Sequence, residues 1–241
     1  MNTAPLQLGT WISTGSAAVT ELAALCGLDW VLLDLEHGCE SEAAIPGQLR
    51  PLRGGKTRGI VRVGAPHADL IGRVLDWGAD GVMVPHVESA AAAEAIVRAA
   101  HHAPRGQRGF ARTVRACDYG LRPAEEKALP LLMAQIETIT GVGHCADIAA
   151  VEGIDVLFVG PADLQHDLRS RPERAPGDYA RCLEIVNEAA RAAGKQTGIL
   201  LRDPAEVPRY RDLGFTHIAV DSDLSILRKA WRQTVEAAEG G

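Results

Sequence analysis

The stretch Gly27-Leu28-Asp29-Trp30-Val31-Leu32-Leu33-Asp34-Leu35-Glu36-His37-Gly38 holds one strand together with both of its ends. A glycine-x-aspartate turn leads into four apolar residues, and the run stops at Asp34, Glu36 and His37. Apolar residues in an unbroken short run, without polar alternation, read as a strand buried on both faces. A buried run that ends in carboxylates is unusual, because an ionised carboxylate strongly resists desolvation. Two later stretches repeat the pattern: 131–136 leads into Gln135-Ile136-Glu137-Thr138, and 156–159 leads into Gly160-Pro161-Ala162-Asp163. If these ends share one rim, the carboxylates can share a cation, and the conflict is resolved.

Outward from this stretch, strand and helix alternate along the whole chain. Strands are expected at 8–12, 30–34, 59–63, 81–84, 131–136, 156–159, 196–200 and 217–220. Helices are expected at 16–25, 41–52, 69–77, 89–100, 140–149, 178–193, 204–213 and 222–238, with a polar loop over 160–177. The turn into a strand recurs as Gly27-Leu28-Asp29, Gly78-Ala79-Asp80, Gly153-Ile154-Asp155 and Gly214-Phe215-Thr216. Eight strand-helix units in 241 residues predict an α/β fold, a (β/α)₈ TIM barrel forming a single domain over 1–241. An open doubly wound sheet also uses βαβ units, but it would not normally need eight, and no Gly-x-Gly-x-x-Gly follows any strand. Residues 101–129 break the rhythm with a long, arginine-rich connection, which reads as a lid or insertion.

Composition narrows the function classes. Apolar residues are 46% and charged residues 23%, with a net charge of -6 and no basic tract, so nucleic acid and anionic membranes are not expected partners. No signal peptide is read at the start, and no apolar run approaches a bilayer span. Five cysteines, widely spaced and without Cys-x-x-Cys, suggest a reduced cytoplasmic chain; Cys39 alone lies near a chemical motif.

Barrels of this kind carry their chemistry at the carboxyl ends of the strands. The residues there are Trp11, then Asp34, Glu36 and His37, then Arg62, then Pro85 and His86, then Gln135 and Glu137, then Gly160 to Asp163, then Leu201 and Arg202, then Asp221. Glu137 and Asp163 form the best pair of ligands for a hard cation such as Mg²⁺ or Mn²⁺. Alternatively Asp163 only caps a helix. His37, beside two carboxylates, is the candidate general base or acid, and His86 is a secondary residue. Arg62 needs a partner, either a substrate carboxylate or developing enolate, or Asp34 or Glu36. The four lysines, Lys56, Lys127, Lys195 and Lys229, all lie away from strand carboxyl ends, which disfavours Schiff-base chemistry. Strands seven and eight lead into no glycine-rich turn, so a phosphosugar is not expected.

Together and in order, Asp34-Leu-Glu-His37, Val61-Arg62, Gln135-Ile-Glu137-Thr and Gly160-Pro-Ala-Asp163-Leu resemble the HpcH/HpaI aldolases of the phosphoenolpyruvate/pyruvate superfamily, over nearly the whole chain. The resemblance implies a metal-dependent class II pyruvate aldolase, which reversibly cleaves a 4-hydroxy-2-oxo acid to pyruvate and an aldehyde through a metal-bound pyruvate enolate. It implies Glu137 and Asp163 as ligands of Mg²⁺ or Mn²⁺, with Co²⁺ a third candidate. Gln135 and the Ala162 backbone, beside Gly160 and Trp11, would touch the keto acid. Arg62 would stabilise the enolate, His37 would act as base, Asp76 would raise its basicity, and Arg108 would close over the site. It further implies a homo-oligomer, a hexamer built as a trimer of dimers that exchange the last helix. Related enolate chemistry, in an oxaloacetate decarboxylase or a citramalyl-type lyase, is the alternative. Gln165, Asp221 and the stretch 166–176 depart from the pattern of many relatives and border the expected aldehyde pocket.

Overall fold

The structure, a computed structural model, describes residues 5–123 and 128–239. Eight parallel strands close into a barrel in chain order. They are β1 (Gln7–Ile12), β2 (Trp30–Asp34), β3 (Arg58–Arg62), β4 (Gly81–Val84), β5 (Leu131–Ile136), β6 (Val156–Val159), β7 (Gln196–Leu201) and β8 (His217–Ser222). The helices are α1 (Ala17–Leu25), α2 (Ile45–Leu49), α3 (Ala68–Asp76), α4 (Ala90–Ala100), α5 (Ile139–Gly143), α6 (Cys145–Ala150), α7 (Pro161–Ser170), α8 (Tyr179–Ala192), α9 (Val207–Asp212) and α10 (Asp223–Glu239). Among the described residues no helix is long and apolar enough to cross a membrane.

The repeated glycine-x-acid turn does two jobs. Its glycine lies past a helix end with φ between 88° and 105° at Gly27, Gly78, Gly153 and Gly214, a left-handed conformation that residues with a Cβ rarely adopt. Its acid then ties two strands together at their amino-terminal ends. Asp29 accepts from the Leu8 N–H at 2.8 Å, Asp80 from Gly59 at 2.9 Å and Asp155 from Leu132 at 2.8 Å. Thr216 makes the corresponding link by donating to the Thr197 carbonyl at 3.3 Å. The pairs β1–β2, β3–β4, β5–β6 and β7–β8 are therefore each stapled by the same short motif.

Alternate strand residues fill the barrel interior. Trp11, Trp30 and Phe158 pack together there with centroids 5.5–6.1 Å apart, in one cluster with Ile60, Met83, Met133 and Val156. The outward residues of the strands join the helices in a second, larger apolar layer. Space for the aromatic plug comes from small residues on neighbouring strands: a side chain at Gly198 would run into the Phe158 ring.

Several elements differ from the sequence expectation. The stretch after β6 is no loop: α7 starts at once, with Gly160 at its cap, Pro161 in its first turn and Asp163 beside them. Its polar composition conceals a narrow apolar side, on which Leu164 is buried and Leu168 packs on the core. The expected helix over 41–52 shrinks to a 3₁₀ turn, Glu42–Ala44, and the short α2, which contains Pro46 and Gly47. The helix over 204–213 is likewise divided into a 3₁₀ turn, Pro204–Glu206, and α9, which has Pro208 in its first turn. β8 runs two residues further than expected and takes Asp221 into the strand.

Residues 101–130 lead from α4 into β5, so they begin and end at the amino-terminal ends of the strands, opposite the expected site. Their described part is held there. Arg115 donates to the carbonyls of Trp77 at 2.6 Å and Leu49 at 3.0 Å, and Arg108 pairs with Asp76 at 2.5 Å. Within its own chain the described part of this connection lies away from the site, and residues 124–127 of it lie outside the described residues.

The plug gives a test of the packing. Gly198→Val should overfill the space against Phe158 and lower stability by about 1–3 kcal/mol. A thermal melt should show this as a fall of roughly 2–10 °C.

Candidate active site

The carboxyl ends of the strands surround a cavity of about 370 Å³. Trp11, Asp34, His37, Arg62, Gln135, Gly160, Ala162 and Asp163 all line it, so most of the residues expected from sequence are brought together. Trp11 is buried at 5% exposure and presents its ring 5.7 Å from the Arg62 guanidinium.

Asp34 organises this end of the barrel. It is the direct neighbour of Arg62 in the β2–β3 register. Its carboxylate accepts from Arg62 Nε at 2.9 Å and Nη2 at 2.7 Å, and also from the backbone N–H groups of Glu36 at 3.1 Å and His37 at 3.3 Å. Arg62 Nη1 lies 2.7 Å from Glu36. The acidic partners were the alternative to a substrate role for Arg62, and they are present. They do not exhaust it, since a guanidinium has five N–H donors and these contacts commit three. The bend imposed by Asp34 turns the His37 ring outward: it is exposed, lines the cavity, and makes no side-chain hydrogen bond among the described residues.

Glu137 follows β5, two strands on from β3 around the rim, and is buried at 2% exposure. One oxygen accepts from Gln135 Nε2 at 2.6 Å, and the other from the His86 N–H at 2.8 Å. The His86 ring stands 3.3 Å from that second oxygen and 4.0 Å from Glu36. His86, read from sequence as secondary, thus bridges two carboxylates, and it does so from a left-handed backbone with φ 53°. Burial pushes Glu137 up to about 7; the N–H and ring of His86 oppose the rise, while the Glu36 and Asp163 carboxylates add to it. Gly160 allows the close approach of β6, since a Cβ there would lie 2.7 Å from the Cβ of Glu137 and 2.9 Å from Gln135 Nε2.

This donor set suits a hard cation. The side-chain amide oxygen of Gln135, Oε1, is buried and has no hydrogen-bond donor. The buried Glu137 is repelled by the exposed Asp163 carboxylate, and a divalent ion would relieve both features. Among the described residues no group of three or more His, Cys, Asp or Glu side chains is arranged to hold an ion unaided, so protein ligands would leave coordination positions for water or substrate.

Two expected residues lie elsewhere. Asp76 ends α3 at the amino-terminal side of the barrel, where it pairs with Arg108 in a separate hollow between α3 and α4. In one chain neither lines the cavity that holds His37.

The model of the HpcH/HpaI aldolase/citrate lyase family matches residues 7–230. A hydroxypyruvate/pyruvate aldolase of Roseovarius nubinhibens is 36% identical over 234 residues, covering 95% of this chain and 91% of that one. A 4-hydroxy-2-oxovalerate aldolase of Novosphingobium aromaticivorans is 39% identical, with coverages of 98% and 94%. The crystal structure of an HpcH/HpaI aldolase/citrate lyase family protein from Burkholderia cenocepacia superimposes with a TM-score of 0.89 at 33% identity, covering 98% of this chain and 95% of that one. With the barrel, its acidic rim and these likenesses in agreement, the chain belongs to the HpcH/HpaI aldolase/citrate lyase family.

Proposed function

We propose that this chain is a carbon–carbon lyase, a metal-dependent pyruvate aldolase that reversibly cleaves a 4-hydroxy-2-oxo acid to pyruvate and an aldehyde. The observation that carries the reading is the convergence of Arg62, Asp163 and an uncommitted His37 on one cavity, with Glu137 hydrogen-bonded to the lining Gln135. Relatives named as aldolases at 36–39% identity over nearly the full chain support it.

The substrate carboxylate is received by the backbone N–H groups at the start of α7, where the helix terminus favours an anion. The N–H groups of Arg62 left over from Asp34 and Glu36 face the keto oxygen. His37, directly or through a water, takes the proton of the 4-hydroxyl group. As the C4–O bond becomes a carbonyl, the C3–C4 bond breaks and its electron pair passes into the enolate of pyruvate. Arg62 offsets that charge in a desolvated setting, where such stabilisation is strongest. A divalent ion held by Glu137 and Asp163 would supply Lewis-acid polarisation of the keto group. In the synthetic direction His37 returns the proton.

The reading extends to the assembly and its setting. α10 buries only Asp223 and Ser225 in its own chain and leaves Leu224, Trp231 and Val235 exposed. That supports a homo-oligomer in which α10 is exchanged between subunits, with a hexamer as a trimer of dimers. In such an assembly Asp76 and Arg108 would serve the site of a neighbouring subunit, the only way they could act on a His37. All five cysteines are free, in keeping with a reducing cytoplasmic setting.

Three outcomes are expected. In D₂O with Mn²⁺ the enzyme should exchange the methyl protons of pyruvate, followed by proton NMR, and a chelator should abolish the exchange. Exchange that survives complete removal of the metal would sink the mechanism. Arg62→Ala should cost about 2–4 kcal/mol of barrier lowering, read from kcat. It should also lower the melting temperature, because Asp34 and Glu36 lose their shared partner.

The third outcome concerns pH. In the metal-free chain Glu137 titrates near 7 instead of an ordinary 4.5. It keeps a proton that the unfolded chain has already released, so its contribution to stability is full below 4.5 and is lost as pH rises through about 7. Glu40, raised to about 7 by burial and then by Asp34 and Asp223, acts in the same direction. Mn²⁺ would replace the proton on Glu137 only. The rise in melting temperature caused by Mn²⁺ should therefore be larger at about pH 8 than at about pH 5.5.

A further inference from the structure

α7 carries Asp163 in its first turn, yet the side chains it buries are only Leu164 and Asp167. A helix with so little apolar contact is not placed by packing alone. One of its two buried side chains is a carboxylate, which is unfavourable unless the charge is paired and hydrogen-bonded.

Asp167 is 7% exposed and meets both conditions. Its Oδ2 accepts from the Ile139 N–H at 2.8 Å in a buried contact. Its Oδ1 accepts from Arg171 Nε at 2.5 Å, and Arg171 Nη2 closes on the same oxygen. Arg171 neutralises the charge from a half-exposed position, while the backbone bond gives the carboxylate its direction. Ile139 opens α5, so its N–H has no partner inside that helix. Among the described residues this is the hydrogen bond that joins α7 to α5.

Both ends of the bond lie next to the candidate ligands of the cation. Asp163 and Asp167 stand about one turn apart on α7. Ile139 is two residues past Glu137. The segment around Glu137 is held from the side of β4: Thr138 Oγ1 donates to Glu88 at 2.7 Å, the Val87 N–H to the Gln135 carbonyl at 3.1 Å, and the His86 N–H to Glu137 at 2.8 Å. None of these bonds reaches α7. Asp167 makes the connection on the other side, and it does so without lining the cavity.

We infer that Asp167 is a positioning residue for the cation site: its bond to the Ile139 N–H holds the turn that carries Asp163 at the spacing from Glu137 that a shared ion requires. The inference rests on the metal-dependent reading above. Outer groups that orient metal ligands change affinity by roughly 10- to 100-fold when removed, although they touch no metal. Asp167 thus sets how tightly the ion is held and takes no part in turnover once the ion is bound.

The test is Mn²⁺ binding to the full chain, followed by the electron paramagnetic resonance of the free ion, which needs no turnover. Asp167→Ala should raise the Kd for Mn²⁺ by roughly 10- to 100-fold. Asp167→Asn keeps an acceptor oxygen for the Ile139 N–H and should stay close to the unaltered chain. Arg171→Met removes the ion pair but leaves the backbone bond, and its Kd should also stay close. At saturating Mn²⁺, kcat for pyruvate methyl exchange in Asp167→Ala should return toward that of the unaltered chain, which a general loss of structure would not allow. If Asp167→Ala does not fold, Asp167→Ser, whose hydroxyl is one bond short of the Ile139 N–H, takes its place. An unchanged Kd in the folded variant, or an Asp167→Asn as weak as Asp167→Ala, overturns the inference and leaves the metal-dependent reading standing. If the unaltered chain binds no Mn²⁺, with or without pyruvate, that reading falls, and this inference with it.

Discussion

Asp34 is 2% exposed and Arg62 is 6% exposed, and neither charge could be kept at the mouth of an apolar barrel without the other. Their pairing is two-pronged and joins residues that stand opposite each other in adjacent strands. From this pair the rest of the rim is set. The remaining valence of Asp34 bends the chain at Glu36 and His37, Glu36 closes on the far side of the guanidinium, and His86 spans from Glu36 to Glu137. The order of charges around the rim is acid, base, acid, histidine, acid. One guanidinium faces two carboxylates on the Arg62 side, and Glu137 and Asp163 add more beyond His86, so the rim has negative charge to spare for a cation.

The amino-terminal end of the barrel solves a different problem. Asp29, Asp80 and Asp155 spend their carboxylates on backbone N–H groups of the preceding strand, so charge there serves register and not chemistry. The same residue type is structural at one end of a strand and chemical at the other. The difference lies in the partner: a neutral amide at the base, and another ionisable group at the mouth.

Most of this was legible before any coordinates. Unbroken apolar runs, the glycine-x-acid repeat and the acidic strand ends were enough for the barrel, its single domain and the membership of Trp11, Asp34, His37, Arg62, Gln135 and Gly160 to Asp163 in one rim. What escaped has physical reasons. α7 buries so little apolar surface that its composition resembles a loop, and its helix signal is confined to Gly160-Pro161 and the first-turn Asp163. His86 depends on a left-handed backbone that no local residue preference announces. Asp76 and Arg108 were paired with the site by resemblance, while the chain direction of a strand–helix unit puts the end of α3 at the opposite face. Asp167 looked like one more polar residue of the expected loop; only its bond to the Ile139 N–H distinguishes it.

The aromatic plug has an optical consequence. Trp11 forms part of the cavity lining while its ring packs against Trp30 and Phe158 and lies near the Arg62 guanidinium. An indole held between a dry interior and a guanidinium that has N–H groups to spare for a ligand is a natural fluorophore for site occupancy. Trp77 and Trp231 lie outside the barrel interior and would contribute a steady background. The chain therefore carries its own reporter of binding, with no label required.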